Sequence, residues 1–237
     1  MHPPWRSLIL ASTAALLALV PAAPGWAQSQ PPANDPARAL YRNHACFACH
    51  GEYGRSLIEA YPDLAGQDVR YLINQVRDIV SGARKGSLDA SGNPRAEVMR
   101  AALVAPDGEV RFKDVDLKII AGWLAMQPPA QPLPQAKDVP KARIQAGEGV
   151  FRQYMCASCH GREGQKPMQG YPYLAAMKRN YVVGQLRDFR DKTRTNRMAS
   201  VMASIVKRMT DQEIDLVADY IAQIERKPKE PAPPPQD

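Results

Sequence analysis

Cys46-Phe47-Ala48-Cys49-His50 recurs as Cys156-Ala157-Ser158-Cys159-His160, and these two stretches use all four cysteines of the chain. C-x-x-C-H is the attachment signature of a c-type haem. Each thiol adds to one vinyl group, and the adjacent imidazole binds the iron from one face. The spacing is short because two sulfurs and a ring nitrogen must reach one porphyrin from a single tight turn. A zinc ribbon keeps its cysteine pairs within about 15–20 residues of each other; here they stand at an offset of 110. A dithiol redox motif needs a βαβ setting, and no strong strand run flanks either pair. Two covalently bound haem c groups are therefore expected. Cys46, Cys49, Cys156 and Cys159 would attach them, and His50 and His160 would ligate iron.

The sixth ligand follows by elimination. The chain has four histidines. His2 lies in a segment expected to be cleaved, and His50 and His160 are committed. His44 sits two residues before Cys46, on the proximal side, and reads as a helix-end surface residue. Methionine is the usual alternative in carrier cytochromes, and its soft thioether favours reduced iron. In the first half, Met126 ends an apolar helix pattern and reads as packing. Met99 follows Gly92-Asn93-Pro94, a loop able to fold over the ring, and is the first candidate ligand. The second half offers six methionines: Met155, Met168, Met177, Met198, Met202 and Met209.

An internal repeat narrows that choice. At offset 110, Leu40-Tyr41-Arg42 matches Val150-Phe151-Arg152 and Tyr61-Pro62-Asp63-Leu64-Ala65 matches Tyr171-Pro172-Tyr173-Leu174-Ala175. Gln75-Val76-Arg77-Asp78 matches Gln185-Leu186-Arg187-Asp188, and Arg84 matches Arg194. Beyond that point the offset falls to 97, so the first copy carries 13 extra residues before Phe112. Met209 aligns with Phe112, a packing position. Met202 stands at offset 103 from Met99, between the two frames, and is the second candidate ligand. Met198, one helical turn earlier, stays open as its alternative.

Each copy reads as helical. Asp35-Pro36 and Pro140 open the first helices. The apolar spacing of Leu72, Ile73, Val76, Ile79 and Val80 predicts a helix over 69–80, with a partner over 181–191. Last helices are expected over 113–126 and 211–224. The aromatic pairs Tyr41/Trp123 and Phe151/Tyr220 suggest that first and last helices cross. Pro62 and Pro172 each lie 12 residues after a haem histidine. Their carbonyls could accept the Nδ1 proton and fix the imidazole tautomer. Arg77, Arg84, Arg187 and Arg194 recur in register and are candidates to meet haem propionates.

Residues 1–27 read as a secretory signal, with Arg6, an apolar run over 8–20 and a cut after Ala27. An uncleaved anchor is the alternative. Export suits haem attachment, which occurs outside the cytoplasm. The domains are then 28–126 and 141–226, with a proline-rich linker over 127–140 and a disordered tail over 227–237. Residues 35–126 carry 12 basic and 12 acidic side chains, whereas 127–237 carry 18 and 12. The basic half reads as a solvated helix face, with steering onto an acidic partner as the alternative. Nucleic acid is not an expected partner for an exported haem protein.

These features taken together, with Tyr61-Pro62-Asp63-Leu64-Ala65-Gly66-Gln67, Tyr71-Leu72-x-x-Gln75-x-x-Asp78 and paired late methionines, make the chain resemble the c4 type of dihaem cytochrome c. The resemblance implies an all-α fold of two tandem class I cytochrome c domains, each with histidine and methionine on its iron. It implies an electron carrier in the bacterial periplasm and not an enzyme. Its redox partners would be a terminal oxidase, a dehydrogenase or a quinol-oxidising complex, with peripheral membrane association left open. Alternatives are a subunit of a larger dehydrogenase, or a dihaem enzyme such as a peroxidase or thiosulfate dehydrogenase. Ala176, in place of the glycine found as Gly66, departs from the pattern, and so does the insertion before Phe112.

Overall fold

In the computed structural model, which describes residues 35–88, 92, 94–165 and 167–227, helices start where the sequence supplies a cap. Asp35 accepts the Ala37 amide at 2.9 Å, and Pro36 takes the first position of α1 (Pro36–Asn43). The first C-x-x-C-H closes into a single turn, α2 (Phe47–His50). Asp68 caps α3 (Val69–Val80) by accepting the Tyr71 amide at 2.7 Å. Then come α4 (Arg95–Leu103) and α5 (Asp114–Met126). The second copy repeats the order with α6 (Lys141–Gln153), α7 (Ala157–His160), α8 (Arg179–Arg190), α9 (Ala199–Val206) and α10 (Asp211–Gln223). Thr210 and Glu213 form a reciprocal capping box at the start of α10. The expected signal segment and all but the first residue of the expected tail lie outside the described residues.

Two hydrophobic cores form, one per copy. The first gathers Tyr41, Leu72, Ile120, Trp123 and Leu124; the second gathers Phe151, Tyr181, Val206, Ile214, Val217 and Ile221. The aromatic pairs meet where first and last helices cross, with ring centroids 5.2 Å apart for Tyr41/Trp123 and 5.5 Å for Phe151/Tyr220.

Met99 lies within α4, which begins directly after the Gly92-Asn93-Pro94 run. The segment Arg95 to Leu103 is made of strong helix formers, with Glu97 in the first turn, and nothing in it breaks a helix. Antiparallel bridges Leu88–Pro94 and Val104–Val110 stand on either side of α4. The 127–140 segment is fastened rather than free. Arg55 donates to the Pro128 carbonyl at 3.1 Å, Gln131 to the Arg226 carbonyl at 2.8 Å, and residues Pro134–Asp138 form a 3₁₀ turn.

The copies face each other through polar side chains. Arg84 donates to Tyr181 Oη at 3.1 Å and to Gln185 at 3.0 Å, while Arg194 reaches Gln75 at 2.6 Å. Asp78 accepts from Asn196 and Arg197, each at 2.7 Å, and Asp188 accepts the Ser87 amide at 2.9 Å. Each buried aspartate thus grips the strap that leaves the other copy.

Candidate haem sites

Both C-x-x-C-H turns have the same local build. The residue before the first cysteine is left-handed, Ala45 at φ 54° and Met155 at φ 52°. The histidine is followed by a glycine at positive φ, 71° at Gly51, where a Cβ would lie 1.9 Å from the Arg55 carbonyl oxygen. Only glycine lets the chain turn away so sharply beneath the imidazole. None of Cys46, Cys49, Cys156 and Cys159 is tied up in a disulfide among the described residues.

His50 Nδ1 lies 3.0 Å from the Pro62 carbonyl and His160 Nδ1 lies 2.9 Å from the Pro172 carbonyl. With Nδ1 donating, the tautomer leaves Nε2 as the lone-pair nitrogen, the one that can bind a metal. Burial holds both histidines below the usual imidazole value, with the proline hydrogen bonds opposing it. At His50 the Lys178 and Arg84 charges push further the same way. A neutral imidazole is the ligating form.

The second site can be tested for its fit to a haem. His160 Nε2 is buried and has no hydrogen-bond partner. His160 lines a largely apolar cavity of about 170 Å³ together with Cys156, Cys159, Met202, Met198 and Met209. A flat apolar ring with a soft metal at its centre suits that lining: thiols for attachment, a free imidazole nitrogen, and thioethers. Tyr71 and Gln75 of the first copy complete one wall. Met202 is half-buried and packs on the second core, whereas Met198 is 55% exposed at the start of α9. Met209 is buried in that core. In the first copy, Met99 is half-buried on α4.

The register arginines separate into two kinds. Arg77 pairs with Asp114 and Arg187 with Asp211 at the surface. Arg84 and Arg194 instead sit between the copies, where they reach Gln75, Gln185 and Tyr181. The repeat alone could not separate them, because the acidic partners are also duplicated. His44 lies 3.4 Å from Asp116 of α5, and both side chains are largely buried rather than at the surface. Sequence reasoning passed over Lys178 and Arg226, both buried; the signal available was that Lys178 stands where the first copy has the capping residue Asp68.

Comparison with known proteins agrees with this geometry. The family model for cytochrome c matches residues 144–225. Cytochrome c4 of Azotobacter vinelandii is 31% identical over 193 residues, covering 80% of this chain and 89% of that protein. The thiosulfate dehydrogenase electron acceptor of Stutzerimonas stutzeri strain A1501 is 30% identical, covering 77% of this chain and 80% of that protein. The crystal structure of reduced recombinant cytochrome c4 from Pseudomonas stutzeri superposes with a TM-score of 0.63 at 28% identity, covering 80% of this chain and 98% of that one. With a duplicated haem-binding turn, tandem helical lobes and relatives that align across both, the chain belongs to the cytochrome c4 family of dihaem electron-transfer cytochromes.

Proposed function

We propose that this protein is a periplasmic carrier that moves single electrons from a dehydrogenase or a quinol-oxidising complex to an acceptor such as a terminal oxidase, without catalysis of its own. Its domains are 28–126 and 141–226, joined by the 127–140 linker. Cys46 and Cys49 would hold one haem and Cys156 and Cys159 the other, with His50 and Met99, and His160 and Met202, on the two irons. When bound, each haem supplies a one-electron ferric/ferrous couple.

The observation that carries the reading is the cavity over His160. An imidazole nitrogen without a partner and the Met202 thioether line the same apolar space. With an imidazole and a thioether both given to the iron, no site would remain for a substrate, as a carrier requires and an oxidant-activating enzyme does not. Pro62 and Pro172 hold the imidazole protons and make His50 and His160 stronger donors. Polar side chains of the two copies bond to each other between the sites.

A redox titration followed optically tests this. Two reversible one-electron steps are expected, with a weak sulfur-to-iron absorption at the red end of the oxidised spectrum. Met202→Ala is expected to remove that absorption from one haem and leave the other unchanged. Loss with Met198→Ala instead moves the ligand to Met198. Turnover of hydrogen peroxide or thiosulfate by the purified protein alone would overturn the carrier reading. A second reading of the donor is favoured by the likeness to a thiosulfate dehydrogenase electron acceptor. In it, a thiosulfate-oxidising dehydrogenase delivers the electrons, and rapid reduction by such an enzyme is the corresponding test.

A further inference from the structure

Lys178 is the most deeply buried ammonium group between the two copies that the structure describes, with its side chain 1% exposed. A charge taken out of water costs several kcal/mol unless it is paired and hydrogen-bonded. Lys178 Nζ has both kinds of partner, Asp63 Oδ1 at 2.9 Å and the Tyr61 carbonyl at 3.1 Å. Both belong to the first copy. They flank Pro62, whose carbonyl takes the His50 Nδ1 proton at 3.0 Å. A lysine of the second copy therefore clamps the backbone that orients the first proximal histidine.

The repeat shows that this position serves something other than helix formation. In the first copy Asp68 stands there, caps α3 and also accepts the Gly170 amide at 3.2 Å. Lys178 has no acceptor for that role, and α8 begins without a side-chain cap. Asp63 is also peculiar to the first copy, its counterpart being Tyr173. Arg226 adds a second cation. It donates to the Ala65 carbonyl at 3.3 Å and to the Gly66 carbonyl, and lies over the Tyr173 ring at 4.2 Å. The loop behind His50 thus carries two cations against one carboxylate. The loop behind His160 meets the carboxylate of Asp68 and shares Arg226 through the Tyr173 ring, but has no counterpart of Lys178.

We propose that Lys178 is a positioning residue that raises the reduction potential of the first-copy haem, through charge and through the Tyr61 to Asp63 backbone. Reduction lowers the charge of the haem by one, so a nearby cation in a poorly solvated interior favours the reduced state. The proposal rests on a haem held at Cys46, Cys49 and His50.

The test is a redox titration of the dihaem protein by proton NMR, with haem-methyl signals assigned through their proximity to Tyr61 or Tyr171. Lys178→Gln keeps an N–H donor for the Tyr61 carbonyl and removes the charge. It is expected to shift the first haem toward the oxidised state about threefold, which is about 28 mV at 59 mV per tenfold, and to leave the second unmoved. Lys178→Arg is expected to restore the wild-type value. Asp63→Asn retains an acceptor for the Ser56 amide, removes a negative charge, and is expected to move the first haem the opposite way. Opposite shifts are the mark of charge, because loosened packing would not change sign between the two variants. Two covalent haems with no first-haem shift, or shifts of one sign in both variants, overturn this proposal alone. Fewer than two covalent haems per chain by pyridine haemochrome overturns it together with the family reading.

Discussion

Ala176 holds a left-handed backbone, φ 59°, at the position where the first copy has Gly66 at φ 68°. The left-handed region costs a residue with a Cβ about 1–2 kcal/mol, and glycine returns about 0.5–1 kcal/mol of that in chain entropy. Ala176→Gly is therefore expected to stabilise the protein by about 0.5–1 kcal/mol, read as a higher guanidinium midpoint with an unchanged slope. A lower midpoint would mean that the methyl group packs well enough to offset its backbone. At this scale the sequence was most legible where covalent chemistry dictates spacing. Cysteine and histidine positions within C-x-x-C-H follow from the ring they must reach. Lys178 and Arg226 left no such trace, because the acceptors of their side chains lie more than 100 residues away and a single charged residue reads as surface.

Among the elements, α6 and α10 approach more closely than their counterparts α1 and α5. A Cβ added to Gly147 would lie 2.1 Å from the Leu216 carbonyl oxygen and 2.8 Å from the Tyr220 Cβ. The first copy has Ala37 at the matching place. Two packed helices cannot admit that methyl group without moving apart, so Gly147→Ala is expected to cost about 1–3 kcal/mol, measured by chemical unfolding. A neutral result would show that the crossing relaxes freely. The helices that frame the cores were legible from apolar spacing because one face of each is buried. Helix α4 was not, since its first residues follow a Gly-Asn-Pro run that signals a turn and its apolar residues define no strong face. Only the composition of Arg95 to Leu103 carried the signal.

At the scale of the whole molecule, the copies exchange buried charges at matched positions. Asp78 and Asp188 close α3 and α8, are 5% and 1% exposed, and each holds the strap from the opposite copy. Gly86 and Thr193 add a backbone hydrogen bond of 3.1 Å between those straps. Neither lobe can open this interface without exposing a carboxylate bonded to its neighbour, which couples their unfolding. Asp78→Ala leaves the Asn196 amide and one face of Arg197 without their acceptor. Hydrogen bonds to a charged group contribute about 1.5–3 kcal/mol each, and Arg197 is half in solvent and recovers part of its share. A net loss of about 2–3 kcal/mol is expected for Asp78→Ala. Adding Asp188→Ala should then uncouple the lobes, so that unfolding followed at the two haems separates into two transitions where the native chain shows one. If the native chain already unfolds in two steps, the interface holds geometry without binding the lobes into one cooperative unit, and the electrostatic reach of Lys178 into the first site would have to survive an independent motion of its own lobe.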